Sequence, residues 1–342
     1  MKKKKMRLFA IILLMVMTFT SIIFAFMNNE EEKIVEKEPE EEIIEEEVII
    51  PKLQIIDEES NERPIAIMIN NHPVTVPHHA GLQDAYVIYE IIVEGGFTRL
   101  MAVYKDQETN RIGSVRSARH YYLDYAAEHD AIYAHFGGSP KGLSDVRVLG
   151  IDALNFMARG GSFRDRSLGV ATEHTAYTRL NDIKSELSKM NTRMTSNGVP
   201  FEYSIDELDL SVFDSKVASE VKIKYSTRTN VDYVFENGVY NRSFNGKMHV
   251  DAISKEQYNF KNLLIMKVRN YNLDSAGRQE LDTVGTGNGY FVTNGISIPI
   301  TWNKSSRTSP TVYKYINGEE VVLNDGNTFV NVVPTNAGIT FN

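Results

Sequence analysis

The sequence predicts an N-terminal α+β or α/β domain followed by a mainly antiparallel β domain. Residues 63–190 alternate short apolar runs with helical patterns, which is typical of helices layered on a sheet. After about residue 205 the chain changes to Val, Ile, Tyr and Phe runs, with Asn-Gly pairs starting at 237, 245, 288, 294 and 317. Asn-Gly favours hairpin turns because both residues tolerate a positive φ, so the second domain is expected to be antiparallel.

The elements of the first domain follow from these patterns. Strands are predicted at residues 64–70, 86–93, 100–104 and 131–136. Helices are predicted at residues 117–128, 140–149 and 179–190. Ser139 before Pro140 is a favourable helix start, and Thr178 is expected to cap the third helix. The domain boundaries are placed at 61–205 and 206–342.

The N-terminus predicts a membrane anchor. Four lysines and Arg7 precede an uncharged, mostly apolar run at residues 8–27, which is long enough to cross a bilayer as a helix. The basic flank should stay in the cytoplasm, so the expected location is the cell membrane, single-pass, with the soluble domains on the extracytoplasmic side. A cleavable signal peptide is the alternative, but the run ends in Phe-Ala-Phe-Met rather than in small residues. Residues 1–29 are therefore assigned to a signal-anchor.

Charge and cysteine content exclude several classes of function. Eleven glutamates at residues 30–47 predict an acidic stalk over residues 30–60. Residues 1–50 hold 7 basic and 11 acidic residues, which leaves 30 basic and 34 acidic residues and a net charge near −4. Such a domain is not expected to bind nucleic acid. The absence of cysteine excludes disulfides, thiolate zinc sites and lipid attachment to cysteine.

Glycine, arginine and histidine concentrate between Glu94 and Pro140, and this concentration predicts a ligand site. Seven of the eight histidines lie within residues 72–174. Arg116 and Arg119 are expected on one face of the helix that Ser117 opens, where they could hold a phosphate, carboxylate or sugar acid. The alternative is that these arginines pair with acidic residues and stabilise the domain. The predicted ligand-binding residues are Asn71, His72, Arg99, Arg116, Ser117, Arg119, Gly137, Ser139 and His174.

Glu94 and His135 are the candidate catalytic residues. Glu90 and Glu94 are expected to share one strand face, and Glu94 could be desolvated and its pKa raised for acid–base chemistry. A structural ion pair with Arg99 is the alternative. His72, His78 and His79 invite a metal hypothesis, but neighbouring residues in an extended segment point to opposite faces, so no metal site is assigned. No cofactor is predicted.

Four motifs in order carry a family resemblance. They are R-P-I-A-I-M-I-N-N-H-P from Arg63, E-G-G-F-T-R from Glu94, G-S-V-R-S-A-R-H-Y-Y from Gly113, and H-F-G-G-S-P from His135. Together they resemble the YerB-like lipoproteins, two-domain bacterial envelope proteins whose domains have no known function. The chain departs from that family in two places. It lacks the lipobox cysteine, and Glu173-His174-Thr175 stands where the family often has Pro-His-Asn.

Three functions remain open at this point. The first is a membrane-anchored envelope protein whose arginine- and histidine-lined cleft binds an anionic or glycan cell-wall ligand. The second is an envelope hydrolase that acts on a glycan or phosphodiester with Glu94 and His135 as acid and base. The third is an adaptor that contacts another envelope protein through its β domain.

Overall fold

The structure is a computed structural model that describes residues 52–196 and 199–342. The predicted anchor and residues 30–51 of the predicted stalk lie outside the described residues. Within the described ranges, no helix combines the length and apolarity needed to cross a membrane. Leu53 and Ile56 are buried, and Asp325 accepts hydrogen bonds from the backbone of Gln54 and Ile55 at 2.8 and 3.0 Å. The end of the predicted stalk is therefore packed on the fold.

Residues 52–196, here called the first half, supply eight strands and three helices. The strands are β1 (Ile65–Asn70), β2 (Val87–Ile92), β3 (Thr98–Tyr104), β4 (Ile112–Gly113), β5 (Ile132–His135), β6 (Ala153–Asn155), β7 (Ser162–Arg164) and β8 (Ala176–Thr178). The helices are α1 (His120–Glu128), α2 (Pro140–Val148) and α3 (Leu180–Lys189). All four predicted strands are present.

Residues 199–342, the second half, form strands only. They are β9 (Tyr203–Ser204), β10 (Lys216–Val217), β11 (Glu220–Lys224), β12 (Asn230–Glu236), β13 (Val239–Phe244), β14 (Lys247–Met248), β15 (Asn259–Phe260), β16 (Asn262–Val268), β17 (Asn270–Asn272), β18 (Gln279–Leu281), β19 (Gly285–Thr293), β20 (Ile296–Lys304), β21 (Thr311–Tyr315), β22 (Leu323–Asn324), β23 (Thr328–Pro334) and β24 (Gly338–Phe341).

One large mixed sheet runs through both halves. Its strand order is β10-β20-β19-β16-β23-β2-β3-β1-β5-β6, with β21 added on β20. The halves join where β2 pairs in parallel with β23, from Val87 opposite Thr328 to Ile91 opposite Val332. The chain is thus strand-rich with few helices and with mixed and antiparallel sheets. The antiparallel assignment of the second half is confirmed only in part, because β16 and β23 run parallel.

Four of the five Asn-Gly pairs form turns as predicted. Asn237-Gly238 and Asn294-Gly295 have positive φ at both residues and close the β12–β13 and β19–β20 hairpins. Asn288-Gly289 is the exception, since it lies inside β19. A Cβ atom at Gly289 would lie 2.1 Å from the Ile265 carbonyl oxygen, so glycine is required there by close backbone approach. The same dipeptide therefore serves two different purposes.

Both faces of the large sheet are covered, which explains the continuous apolar run of β1. Ile65, Ile67 and Ile69 pack with α3 and with a second sheet, whose strand order is β14-β13-β12-β11-β24 with β15 added on β13. Ala66 and Met68 pack on the opposite face with the tyrosines of α1. A strand buried on both sides has no polar face, so periodicity alone could not show what covers it.

A fully buried ion pair joins the two halves. Arg242 Nη2 donates to Glu90 Oε2 at 2.7 Å, and neither side chain is exposed to solvent. Glu90 Oε1 accepts further hydrogen bonds from Asn71 at 2.9 Å and Thr98 at 2.6 Å. Buried ions cost several kcal/mol each unless such bonds compensate their lost hydration. This cluster therefore ties β2 of the first half to β13 of the second.

Two buried histidines extend this cluster. His79 Nε2 lies 2.6 Å from the Asn70 carbonyl oxygen, which can only accept, so His79 carries its proton on Nε2. His79 Nδ1 then accepts from His249 Nε2 at 2.8 Å, and His249 Nδ1 accepts from Arg242 at 2.6 Å. Burial lowers the pKa of His79 to about 4 and that of His249 well below its ordinary value. Both imidazoles are therefore neutral.

A second buried ion pair joins Lys304 at the end of β20 to Glu128 at the end of α1, at 2.8 Å. Tyr89 donates to Glu128 Oε1 at 2.7 Å and lies 2.7 Å from His129 Nε2, so His129 donates to Tyr89. His129 Nδ1 then accepts from Tyr86 at 2.6 Å. Burial lowers the pKa of His129 to about 4, so this imidazole is also neutral.

Replacing Arg242 by methionine should strongly destabilise the fold, because the Glu90 carboxylate would stay buried without its partner. We expect a loss of about 3–5 kcal/mol in the free energy of unfolding, measured by urea denaturation. The double variant Glu90→Gln/Arg242→Met should lose less, since glutamine can still accept from Asn71 and Thr98. Arg269→Met, which breaks an exposed pair with Asp282, is the control and should cost under about 1 kcal/mol. Equal losses in Arg242→Met and Arg269→Met would contradict the assigned role.

Acid should weaken the fold through the buried histidines. Between the usual imidazole pKa near 6.5 and about 4, the unfolded chain binds protons that folded His79 and His129 do not, so stability falls as the pH falls. Each histidine contributes a slope of up to about 1.4 kcal/mol per pH unit. Asp124 opposes the trend, because burial raises its pKa to about 6.

The pH test therefore compares variants with the wild type. In urea titrations over this range, His129→Gln should flatten the dependence of the free energy of unfolding on pH. The matched control is the same substitution at the partly exposed His78. An unchanged slope in His129→Gln would show that His129 is not held neutral.

Candidate functional site

The candidate site lies at one edge of the large sheet, where β1 and β5 end and β3 begins. Because β1 and β5 are parallel, their carboxyl ends meet at this edge. An extended segment, residues 114–119, runs across it. Asn70 N donates to Ser114 O and Arg116 N donates to Met68 O, both at 2.8 Å, while Ala118 N donates to Gly137 O at 2.9 Å. This segment carries two of the predicted arginines.

The prediction that Arg116 and Arg119 share a helical face is wrong. Helix α1 begins at His120, and Arg119 is its N-cap residue with extended backbone angles. The backbone of residues 115–118 is bonded to neighbouring strands and loops, so it cannot enter the helix. Ser117 does not open the helix, and its carbonyl oxygen accepts a 2.5 Å hydrogen bond from Arg99. The two arginines consequently have different partners.

One cluster at this sheet edge contains two imidazoles. The rings of His72 and His174 stack with centroids 5.5 Å apart, and His72 also packs on Phe97 at 4.7 Å. Asn70 Nδ2 lies 2.8 Å from His174 Nδ1 and donates to it. Burial, followed by the charge of Arg116, lowers the pKa of both histidines. Both rings are neutral near pH 7 and present an aromatic, polar wall.

Arg116 borders this cluster. It donates to the Glu173 carbonyl oxygen at 3.0 Å and to the Glu173 carboxylate at 3.2 Å. The Glu173 side chain is 60% exposed, so its carboxylate is well hydrated and the ion pair is weak. An anionic ligand could therefore displace Glu173 as the partner of Arg116.

Arg119 and Glu94 form a tight pair. Arg119 Nε and Nη2 donate to the two carboxylate oxygens of Glu94 at 2.7 and 2.9 Å. Burial alone would raise the pKa of Glu94, but the hydrogen bonds and charge of Arg119 outweigh burial and lower it. The expected upward shift of the Glu94 pKa is therefore wrong. Glu94 also lies after the end of β2, not on one strand face with Glu90, and its ion-pair partner is Arg119 rather than Arg99.

Arg99 is a nearly buried cation close to Arg119. Arg99 is only 8% exposed, and within the described ranges no carboxylate lies within 4.0 Å of its guanidinium. Burial, and then the positive charge of Arg119, lowers its pKa to about 10. The alternative that Arg116 and Arg119 pair with acidic residues is observed, but their partners are Glu173 and Glu94 rather than Asp124, Asp145 or Asp165. Asp124 and Asp145 pair with Arg307, and Asp165 pairs with Arg111.

His135 sits at the end of β5 and is 1% exposed. Its Nδ1 donates to the Gly137 carbonyl oxygen at 2.7 Å, and burial lowers its pKa, so the ring is neutral. Gly137 N donates to Asn155, and Ser139 caps α2 as predicted by accepting from Gly142 N at 3.1 Å. These groups are engaged by the fold itself. Thr178 does not cap α3, because its hydroxyl donates to the Gly161 carbonyl oxygen.

Asn71 lies beneath the cleft rather than on its surface. It is fully buried, and its amide donates to Glu90 and Thr98. Asn70 is the residue that reaches the imidazoles. Consecutive residues of an extended chain point to opposite faces, so strand alternation from Met68 could have selected Asn70.

Arg164 is a cation near Arg116 that the sequence analysis missed. Its guanidinium lies 4.4 Å from the centre of the Phe136 ring and donates to the Thr172 carbonyl oxygen. Burial, and then the charges of Arg166 and Arg116, lowers its pKa. The Arg-Asp-Arg run at residues 164–166 could have identified Arg164 from the sequence as a candidate anion contact.

The geometry does not assemble an acid–base pair. In residues 52–196 and 199–342, no hydrogen bond joins Glu94, His135 and His174 to one another. The same residues contain no group of three or more histidines and carboxylates placed to hold a metal ion. His79, one of the three histidines considered for a metal, is occupied in the buried cluster between the halves. The arrangement suits binding of an anion better than proton transfer.

The chain is similar to a known protein family and to one of its solved structures. Two models described as the N-terminal and C-terminal domains of a protein of unknown function (DUF3048) match residues 53–193 and 221–330. Over 291 residues the chain is 27% identical to "Putative lipoprotein YerB" of Bacillus subtilis strain 168, which covers 80% of this chain and 82% of that protein. The chain belongs to the YerB-like two-domain family. The crystal structure of YerB from Bacillus subtilis superposes with a TM-score of 0.72 at 25% identity, covering 82% of this chain and 94% of that one. The resemblance read from the four motifs is thereby confirmed. The predicted domain limits at 61–205 and 206–342 stay predictions.

Removing Arg119 should reverse the shift in the Glu94 pKa. In Arg119→Met, burial of Glu94 is no longer offset, so the pKa of its carboxyl should rise above its ordinary value. Carbon-13 NMR of the labelled glutamate carboxyl measures the titration directly. Arg116→Met is the control and should leave Glu94 with a lowered pKa, because Glu94 is bonded to Arg119 alone of the two. A lowered pKa in Arg119→Met would contradict this explanation.

Proposed function

We propose that this YerB-like protein is an envelope protein whose N-terminal cleft binds an anionic or glycan component of the cell wall. Arg99, Arg116 and Arg119 are the anion contacts, while His72 and His174 line the cleft beside them. Phosphate and carboxylate groups suit planar guanidinium donors, which can bind them through two parallel hydrogen bonds.

The observation that carries the proposal is the state of Arg99. A guanidinium that is nearly buried and has no carboxylate within 4.0 Å among the described residues costs free energy, which a bound anion would recover. Four guanidinium groups, those of Arg99, Arg116, Arg119 and Arg164, surround the cleft. Among the acidic side chains that the structure describes, only those of Glu94 and Glu173 are bonded to them. The cleft is thus locally positive on a chain whose formal net charge is −8.

The wall of the cleft favours a ligand with a ring or chain attached to its anionic group. His72, His174 and Phe97 form a continuous aromatic surface next to Arg116. Neutral imidazoles can donate or accept hydrogen bonds with hydroxyl groups. Sugar phosphates and uronates combine both kinds of group.

The location rests on two observations. The matched relative carries the word lipoprotein in its description, which suits attachment to a membrane. This chain has an apolar run at residues 8–27 and no cysteine, so its own attachment would use the single N-terminal helix. Such an anchor places the cleft on the extracytoplasmic side.

Removal of cleft arginines should weaken the binding of anionic wall polymers. In calorimetric titrations of the purified full-length chain with a glycerol phosphate polymer, Arg116→Gln should weaken binding roughly tenfold, since a charge-assisted hydrogen bond contributes about 1.5–3 kcal/mol. Arg99→Gln should weaken it at least as much. Arg99→Lys should recover only part of the loss, because lysine keeps the charge without the paired donors.

Arg269→Gln is the matched control. It removes the same charge from an exposed site on the second half, where Arg269 is 73% exposed, and should leave binding unchanged. A uronate polymer and a neutral glycan are titrated in parallel to separate phosphate, carboxylate and sugar recognition. Unaltered binding of all three polymers in Arg99→Gln and Arg116→Gln would refute the proposal.

A further inference from the structure

A cavity lies where the two halves meet, and the proposed anion contacts are not among its lining residues. Its volume is about 390 Å³, within the range of small-molecule pockets. The first half contributes Pro73, Val76 and Pro77, and the second half contributes chiefly Phe244, Met248 and Val250. This lining is apolar on both sides. It is also open to solvent, because Met248 is 69% exposed.

Two lysines stand among the residues that line this cavity. Lys247 and Lys255 are both exposed, and in the described part of the chain neither has a carboxylate within 4.0 Å of its ammonium group. Lys255 Nζ donates only to the Ala252 carbonyl oxygen, at 2.6 Å. The lysines are therefore free to meet a negative group at the entrance of an apolar pocket.

The acidic residue of the cavity is already engaged. Asp251 Oδ2 accepts from Gly81 N and from the Tyr258 hydroxyl, both at 2.7 Å. Its Oδ1 accepts from Ile253 N at 2.7 Å and Ser254 N at 3.1 Å. Four donors satisfy this carboxylate, so it is not the partner of either lysine.

We propose that this cavity binds an acyl chain that carries an anionic head group. The apolar walls would take the hydrocarbon, whose burial is favourable by roughly 0.8 kcal/mol per methylene group. Lys247 and Lys255 would pair with the carboxylate or phosphate at the entrance. An incidental gap between the halves would have the same apolar walls but would show no preference for an anionic head group.

The proposal is tested by photo-crosslinking to the full-length chain. The probes are a fatty acid with a diazirine on its chain and vesicles of phosphatidylglycerol with the same diazirine chain. Adducts mapped by mass spectrometry should fall on the peptides that contain Phe244, Met248 or Val250, and decanoate should compete with them. Decyltrimethylammonium, which has the same chain length and the opposite head charge, should compete at least roughly tenfold more weakly.

Variants separate the head-group contact from the walls. Lys247→Glu/Lys255→Glu should reduce crosslinking by roughly tenfold and reverse the preference between the two competitors, because two attractions become repulsions. Lys224→Glu, an exposed lysine on β11 outside the cavity, should leave crosslinking unchanged. Thermal unfolding of each variant checks that the fold is intact.

The two probes distinguish the source of the chain. Adducts in the cavity from the fatty acid alone indicate a free acid, and adducts from the vesicles indicate a bilayer lipid; both support the proposal. Adducts spread over the surface would overturn it. So would equal competition by both head groups, or crosslinking that survives the double lysine variant.

Discussion

Glu90 and Arg242 form a buried ion pair that joins the two halves of the chain. Each charge alone would cost several kcal/mol in the protein interior, so each requires the other half of the chain. The carboxylate also fixes Asn71 and Thr98, which stand at the end of β1 and the start of β3. Those strand ends form the edge that carries the cleft. The second half therefore positions a site built from the first.

The same pair reaches the cleft by a second route. Arg242 donates to His249, His249 donates to His79, and His79 donates to the Asn70 carbonyl oxygen. The Asn70 side chain in turn donates to His174 in the cleft wall. Every hydrogen bond in this series donates in the same direction, because the carbonyl oxygen at its end can only accept. A cleft side chain is thus aligned by hydrogen bonds that begin in the second half.

The sequence predicts local structure well and partnership across the chain poorly. The strand at β1 and four of the Asn-Gly turns follow from apolar runs and turn chemistry, which are local properties. The parallel pairing of β2 with β23 joins residues more than two hundred positions apart and has no local signal. The prediction that Arg116 and Arg119 share a helical face failed for the same reason. Their spacing suits a helix, but the backbone of residues 115–118 is hydrogen-bonded to β1, to β8 and to residues 136–139.

The acid–base hypothesis for Glu94 failed because the sequence does not reveal which arginine faces it. Arg99 lies on β3 and donates to the Ser117 carbonyl oxygen, whereas Arg119 donates to Glu94 through its Nε and Nη2. Pairing with Arg119 lowers the pKa of Glu94, whereas burial without that pairing would raise it. A desolvated carboxyl without a partner would be a proton donor, but a carboxylate that accepts two hydrogen bonds from an arginine keeps its negative charge.

One short segment links all three features of the molecule. Within residues 70–80, His72 lines the cleft, Pro73 and Val76 line the apolar cavity, and His79 belongs to the buried cluster. Internal hydrogen bonds hold this segment in one shape, because the Thr75 hydroxyl contacts the carbonyl oxygens of Asn70 and His72 at 3.0 and 2.8 Å. A rigid segment keeps side chains within the narrow tolerance that recognition requires. The spacing between the cleft and the cavity is therefore set by the same buried charges that join the two halves.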